Sequence, residues 1–406
     1  MAEVQNPSEG MSPSEMQNHP GAKNPSNVIE FYPEFECLGG ECPYTCCRGW
    51  QIPVGEETLL AWKQGTAATK ALYPLLMTHN SYGISVLRQP CGRCLFHTKE
   101  QLCSLQKKGE EQLMPKVCRL FPRNIMTFPD RQEVTLELSC IKAAQLFLEH
   151  PGRLTFRPIS ETFPTVWEAP YPEPDFMSFL YDLRDRLLDH LWGTSDLRRS
   201  VYDIYTVSYR LHTMLAADHL GEASKLLAEI FPCTDNAVGP STIPVISDEP
   251  GTAPFYPLRF LNKLIYQLLD LTRIHQTNSV IDDLLTYYKK EYGKLSEIDA
   301  EALFRQRIDA LYQKYPDLEN MLRSYYSYLL QQTLLQAAED YYLLRPILLS
   351  TILTEFLQLF LVLADQSGQE LNRPYRAILL THTEKALAHN PNLSDAIMDR
   401  IRTAYF

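Results

Sequence analysis

Basic charge is in deficit along this chain. Its 38 lysines and arginines stand against 49 aspartates and glutamates, for a net charge of −11 over 406 residues. A protein that binds nucleic acid with its whole surface needs the opposite balance, so nucleic acid is excluded as a general partner. Glycine-rich phosphate loops are missing too: none follows a predicted strand, which argues against a doubly wound nucleotide-binding domain. No segment repeats at constant period. Residues Met1 to Val28 are polar and rich in Pro, Ser, Asn and Gln, with no basic start leading into an apolar core. They are therefore not expected to be a secretory leader, and a cytoplasmic location is the expectation.

Clean apolar runs of membrane-spanning length are also lacking. Ile347 to Ala364 comes near, but Glu355 and Gln358 interrupt it, and Ser350, Thr351 and Thr354 make one end polar. A spanning helix needs about 20 apolar residues and tolerates a central carboxylate poorly. The segment is expected to be the central buried helix of a bundle, with no membrane partner. A buried Glu355 would want a partner of its own, which makes it a candidate substrate-site and catalytic group.

Cysteine is scarce everywhere except one stretch. Nine of the ten fall between Cys37 and Cys140, and only Cys233 lies outside. The densest run is Cys37-Leu-Gly-Gly-Glu-Cys42-Pro-Tyr-Thr-Cys46-Cys47. Thiolates at that spacing suit a soft metal, and Gly39, Gly40 and Pro43 supply the bends that let sulfurs converge. Structural disulfides are the competing reading, and they need an oxidising compartment. By spacing alone two metal chemistries remain open. Cys91 and Cys94, with Cys103 and Cys118 behind them, would make a four-thiolate zinc site. The adjacent Cys46 and Cys47 suit a single tetrahedral ion poorly, and iron–sulfur clusters accept more varied spacings, so the surplus of thiols favours a cluster. From Arg88 to Arg123 there are eight basic and three acidic residues, a net +5 in the stretch that holds four of the cysteines. Positive charge there lowers thiolate pKa and offsets an anionic cluster; an ordinary solvated basic face has the same composition.

The organisation follows from composition and periodicity. A disordered tail is expected over 1–28, a cysteine-rich metal domain over 29–157, a proline-rich linker over 158–174 and a larger helical domain over 175–406. The fold class expected is mainly α, with short helices and little strand in the first domain. In that domain Glu57 to Gln64, Thr69 to Met77 and Ile141 to His150 are predicted helices, and Glu133 to Leu138 alternates as a short strand. Beyond Pro174, apolar residues at three- and four-residue spacing predict helices over Phe176–Trp192, Asp196–Leu220, Ala223–Phe231, Leu258–Gln276, Val280–Tyr292, Ala300–Lys314 and Leu318–Ala337. Prolines 240, 244, 250 and 254 mark an exposed loop over 233–256.

The residues of the first domain carry a resemblance. Phe35-Glu36-Cys37, then Cys42-Pro-Tyr-Thr-Cys46-Cys47-Arg48-Gly49-Trp50, Cys94-Leu-Phe, Gln101-Leu-Cys103, Pro115-Lys-Val-Cys118-Arg-Leu-Phe-Pro-Arg123 and Leu138-Ser-Cys140 resemble the flagellin lysine-N-methylase family (the FliB type) across about residues 31 to 150. Weaker likeness continues in Leu318-Glu319-Asn320 and in the run from Glu384 to Asn390. The cysteine core is also similar to a wider group of zinc- or iron-chelating proteins, a likeness that implies metal without methylation.

The family resemblance implies methyl transfer from S-adenosylmethionine to lysine ε-amines of flagellin in a protein holding a 4Fe-4S cluster. It implies as ligand positions Cys37, Cys42, Cys46, Cys47, Cys94, Cys103, Cys118 and Cys140, and it leaves Cys91 and Cys233 as extras. The C-x-x-x-C-x-x-C signature of radical S-adenosylmethionine enzymes is not met, because Cys47 follows Cys46 at once. Arg119 and Arg123 are candidates for the cofactor carboxylate, and equally for cluster charge balance or surface ion pairs. Tyr325, with Tyr326 and Tyr328 on one predicted helix, and Tyr342, with Tyr341 before the apolar helix, are candidate proton acceptors beside Glu355; ordinary packing is the competing role. The alternative function is a non-enzymatic metal-binding or redox-sensing protein whose helical domain is a partner platform.

Overall fold

The computed structural model describes residues 25–48, 51–65, 67–80, 83–128, 130–164, 167–168, 173–232 and 279–387. The expected helix over 258–276, the loop over 233–256, Cys233, His389 and Asn390 lie outside the described residues. In chain order the regular elements are β1 (Ser26–Ile29), α1 (Glu56–Gln64), α2 (Ala67–Leu76), β2 (Met77–His79), β3 (Ser85–Leu87), α3 (Ser104–Lys107), α4 (Lys116–Leu120), β4 (Arg123–Thr127), β5 (Gln132–Leu136), α5 (Ile141–Glu149), β6 (Phe156–Ile159) and β7 (Trp167–Glu168). The helices α6 (Pro174–Gly193), α7 (Leu197–Ala216), α8 (Leu220–Ile230), α9 (Ser279–Tyr292), α10 (Glu297–Lys314), α11 (Leu318–Thr333), α12 (Leu344–Gln366) and α13 (Arg373–Leu387) follow. The chain is mainly helical, as its periodicity predicts.

Local chemistry sets the helix starts. Asp196 caps α7 by accepting from the Arg199 amide at 3.1 Å. Ser296 caps α10 through the Asp299 amide, also at 3.1 Å. Pro174 opens α6, where its missing N–H costs nothing. The apolar helix α12 is long and apolar enough to cross a membrane by length and composition, and 89% of its most apolar window is buried inside the protein. It is the bundle's central helix, packed by α7, α9, α10, α11 and α13.

The structure corrects the expectation of little strand. A five-stranded sheet runs in the order β6-β1-β5-β4-β7. β1 pairs parallel with β5 and antiparallel with β6, while β4 pairs antiparallel with β5 and parallel with β7. The boundary of the tail moves accordingly. Ser26, Val28 and Ile29 are buried in a strand inside the sheet, so structure begins before residue 29. β5 overlaps the span predicted as an alternating strand and starts one residue before it, yet all five of its residues are buried. Its polar positions are satisfied from across the fold: Glu133 accepts two bonds from the Arg184 guanidinium of α6, at 2.6 and 2.9 Å. Gln132 accepts from the Ser26 hydroxyl at 3.2 Å and donates to the Thr127 hydroxyl at 3.1 Å.

The proline-rich stretch does not separate two cores. One apolar core runs without a break from Val28 and Phe31, through Val134, Leu136 and Phe147, to Phe176, Tyr325, Leu357 and Leu380. A satellite cluster stands apart from it, with Ile52, Val54, Trp62, Leu87 and Cys94 buried at its centre and Cys47 and Cys118 on its margin. The cysteine-rich segments are therefore a small annex on a helical body that contains the sheet.

Candidate functional site

The thiols lie in loops and at element ends, where backbone direction changes and side chains are free to turn inward. Gly39 sits at φ +55°, in the left-handed region that glycine adopts at little cost, and it turns the chain between Cys37 and Cys42. A Cβ on Gly40 would stand 2.8 Å from the Glu100 carbonyl oxygen, so that loop comes up against the backbone just before Cys103 because residue 40 has no side chain. The Cys94 amide donates to the Cys47 carbonyl at 3.0 Å, and Arg48 bridges Arg93, which zips the two cysteine loops together. His97 bridges Cys103. Cys103 precedes α3, Cys118 sits within α4, and Cys140 precedes α5.

The electrostatic contacts among the expected thiols run mainly within two sets of four, with Cys46 and the Cys42–Cys47 contact linking the two. Cys118 feels the charge of Cys94, Cys47 and Cys103, and Cys94 feels Cys47 and Cys103. Cys140 feels Cys42 and Cys37. Cys46 is joined to Cys47 by a hydrogen bond and also feels Cys118 and Cys140, so it stands where the fours meet. None of these cysteines is joined in a disulfide. Burial pushes Cys94 up to about 12 and raises Cys118, with the neighbouring thiolates adding to both. Cys47 runs the other way, down to about 7, because Cys46 and then Thr45 hydrogen-bond to its sulfur. Cys91 is exposed on the turn Pro90–Gly92, at φ 54°. The donor set suits a soft metal in its chemistry: eight reduced sulfurs, of which Cys94 is buried and Cys42, Cys47, Cys103, Cys118 and Cys140 are partly withdrawn from water. Among the described residues, however, no three Cys, His, Asp or Glu side chains converge closely enough to hold an ion.

A cation reaches Cys42, Cys46 and Cys140 from the helical body, 267 positions beyond Cys118. Lys385 of α13 donates to the Tyr44 carbonyl at 3.1 Å, and burial lowers its pKa while Cys46, Cys42 and Cys140 pull it back up. His382, one turn earlier, sets its ring edge-on to Tyr44 at 5.0 Å. The run from Glu384 thus splits in role, with Lys385 turned to the thiols and Glu384 buried in the core.

Arg119 and Arg123 are both engaged. Arg119 pairs with Glu57 at 2.9 Å. Arg123 donates to the Tyr32 hydroxyl at 2.8 Å and lies over the rings of Tyr32 and Phe35, at 5.7 and 5.8 Å.

The three catalytic candidates are not brought together. Tyr325 is 0% exposed and its hydroxyl donates to Glu384. Beside it Tyr328 donates to the Leu136 carbonyl at 3.0 Å, and Gln332 donates to Glu137 at 3.0 Å. These bonds lock α11 to the end of β5 and to α13, which is a packing role. Tyr342 stands elsewhere, its ring against His212 at 4.7 Å with Arg345 over it at 5.7 Å.

Glu355 faces a cavity. The space measures about 290 Å³ and lies between the start of α7 and the helices α10, α11 and α12. Leu197, Val201 and Ile308 form apolar wall; Thr354, Glu355, Gln358, Tyr312 and Arg198 contribute polar groups. Burial pushes the Glu355 carboxyl up to about 7, against the pull of Arg198. Tyr312 and Arg198 carry no local sequence signature. The α12 contribution does: Thr351, Thr354, Glu355 and Gln358 recur at helical spacing in the apolar run, so they share one face.

Among known proteins, the chain is 30% identical over 145 residues to a lysine-N-methylase of Salmonella typhimurium (strain LT2). It is 29% identical over 145 residues to a lysine-N-methylase of Salmonella choleraesuis. Each match covers 34% of this chain and 36% of the relative, so the chain spans little more than a third of either enzyme's length. No family model and no solved structure matches. The flagellar biosynthetic protein FliU of Salmonella muenchen is 31% identical over 130 residues, which are 30% of this chain and 77% of that protein. On that coverage, the chain belongs to the family of the flagellar biosynthetic protein FliU.

Proposed function

We propose that this chain is a protein-lysine N-methyltransferase that uses S-adenosylmethionine and acts on flagellin, with an iron–sulfur centre at its thiols. The observation that carries the reading is the 30% identity to a protein named lysine-N-methylase. The flagellar name of the FliU relative supports a flagellar substrate. The reaction makes three demands. A lysine amine must lose its proton, since its free pKa is about 10.4. The sulfonium methyl must be aligned with the amine. A group must accept the proton in an environment apolar enough to favour the neutral amine.

The thiol grouping supports the metal part of the proposal. Cys47, Cys94, Cys103 and Cys118 would hold one centre, and Cys37, Cys42, Cys46 and Cys140 would be the donors for a second. Bound there, a cluster supplies one-electron chemistry, and it ties loops that little secondary structure secures. The test incubates anaerobically prepared protein with S-adenosylmethionine and flagellin and measures methyl-sized mass increments on flagellin lysines. Iron and sulfide are counted in the same preparation, together with Cys118→Ala, expected to lose iron, and Cys91→Ala, expected to keep it. Methylated lysines with bound iron are the expected result. Iron without methylation overturns the enzyme reading in favour of a metal-binding or redox-sensing protein; zinc without sulfide overturns the cluster.

A further inference from the structure

The cavity beside Glu355 has a chemistry that selects its ligand. Its lining carries four carboxylates, from Asp196, Asp309, Glu319 and Glu355, against one cation, Arg198. Two of the four are committed. Asp196 caps α7, and Glu319 accepts from the Leu197 amide at 2.9 Å and from Arg323 at 3.3 Å. The N-terminus of α7, which would otherwise favour an anion, is thus already answered. Asp309, exposed on α10, and Glu355, half-buried on α12, make no hydrogen bond or ion pair among the described residues.

Two other polar groups of the lining, Thr354 and Gln358, present acceptors, while the Tyr312 hydroxyl keeps its proton to donate. The Thr354 hydroxyl donates to its own helix at the Ser350 carbonyl, 2.8 Å away, which leaves oxygen lone pairs for the cavity. Gln358 donates its amide N–H to the Tyr312 hydroxyl at 2.6 Å and keeps its carbonyl oxygen. A site rich in acceptors and unpaired carboxylate asks for a ligand rich in donors and positively charged. A primary ammonium has three donors and no acceptor. The volume lies at the small end of ligand sites, the scale of a side chain or a small amine.

We propose that this cavity binds a primary alkylammonium, with Glu355 as its counter-charge and Leu197, Val201 and Ile308 against its alkyl stem. That the ammonium belongs to the substrate lysine rests on the methyltransferase reading; the cavity's preference for an alkylammonium does not. In the lysine case Glu355 is placed to take the ammonium proton, so that a neutral amine and a neutral carboxylic acid result before the methyl group moves from the sulfonium to nitrogen.

The experiment uses the full chain and n-butylammonium, which reproduces the end of a lysine side chain, with n-butanol as the neutral comparison. Binding is read by saturation-transfer NMR without any methyl donor. Saturable binding of n-butylammonium, much weaker binding of n-butanol, and a loss of about tenfold or more in Glu355→Gln are expected, since a hydrogen bond to a charged group is lost. Should Glu355→Gln fail to fold by circular dichroism, Asp309→Asn at the exposed mouth carries the test, with binding about threefold weaker expected. Absence of n-butylammonium binding to the native chain overturns the proposal, as does unchanged binding in the folded variant. Failure of the methyltransferase reading looks different: n-butylammonium binds through Glu355, yet no lysine is ever methylated. Lysine methylation that proceeds equally well in Glu355→Gln removes the lysine from this cavity and leaves the methyltransferase reading standing.

Discussion

Glu133→Gln tests whether sheet and helices share one core. Glu133 lies in β5 and Arg184 in α6, on opposite sides of the proline-rich stretch. Their side chains are 5% and 8% exposed, joined by bonds of 2.6 and 2.9 Å. The substitution keeps the volume and removes the charge, leaving a buried guanidinium without its bonded anion and only the longer-range charge of Asp185. Breaking one side of such a pair costs about 3–5 kcal/mol. Against a domain stability of about 5–15 kcal/mol, that is a large fraction of the whole. The reciprocal change, Arg184→Met, is expected to cost less at mildly acid pH, because an isolated carboxylate can take up a proton whereas a guanidinium cannot shed one. The double change to Glu133→Met with Arg184→Leu is expected to return close to wild type, since an apolar pair of similar volume avoids the desolvation of both ions. Urea unfolding followed by circular dichroism and by tryptophan fluorescence provides the assay. One transition, shifted as a whole, is expected for each variant. A Glu133→Gln cost under about 1 kcal/mol refutes the reasoning, as do two separate transitions of which only one moves.

Three further outcomes follow from the same structure. A chain starting at Ile29 loses Ser26 and Val28 from between β5 and β6, so its melting temperature is expected to drop well below that of the full chain; an unchanged value would mean β1 contributes nothing. Burial pushes Glu137 up to about 8, with the Glu384 charge adding, and Glu384 up to about 7. The folded state therefore holds these protons above the ordinary carboxylate range, so their contribution is fully present below about pH 4.5 and is lost as pH rises through 7 to 8. Glu137→Gln should flatten that part of the stability profile, and a slope equal to wild type would disprove the assignment. Binding of n-butylammonium needs the Glu355 carboxylate, which burial holds at about 7 while Arg198 opposes. Asp309 and Tyr312 on α10, Glu319 on α11 and Arg198 on α7 face it, so affinity is expected to fall as pH drops below about 7; a flat profile from pH 5 to 8 speaks against Glu355 as the counter-charge.

The parts of this fold that were legible in the sequence are those whose signal is local. The spacing of apolar residues in α6, α7, α9 and α12 marks each helix, and Asp196 marks a start by its own chemistry. The sheet was mostly hidden because its partners are distant: Ser26 pairs with Gln132 and with Ile159, and nothing near Ser26 announces either. Glu133 is the instructive residue. It fits an alternating strand with one polar face, but Arg184 neutralises it from α6 and the supposed polar face is covered. The same distance problem hid the cation beside the thiols. A run of basic residues sits among the cysteines in sequence, yet Arg119 is taken by Glu57 and Arg123 by Tyr32, while Lys385 approaches from α13. The cavity was half legible: the polar stripe of α12 singles out Glu355, and α7 and α10 complete the site from segments with no such mark.

The distribution of apolar burial bears on why the thiols occur where they do. The main core seals sheet and bundle together with dozens of buried side chains, and no thiol is needed to hold it. The satellite cluster buries Ile52, Val54, Trp62, Leu87 and Cys94, and its helices are short: α1, α2 and α4 are nine, ten and five residues long. Five buried side chains make a small core for the loops around them. Small units with so little core are ordinarily held by disulfides or by a metal. The cysteines here form no disulfide, and those that meet at Cys46 and Cys47 come from both cores, Cys140 from the main one and Cys118 from the satellite. A metal at that junction would fasten the annex to the body just where apolar packing runs thin. Its removal should therefore loosen the segments from Cys37 to Leu120 before it disturbs α11 or α12, an order that hydrogen exchange on the chelated and unchelated protein would report.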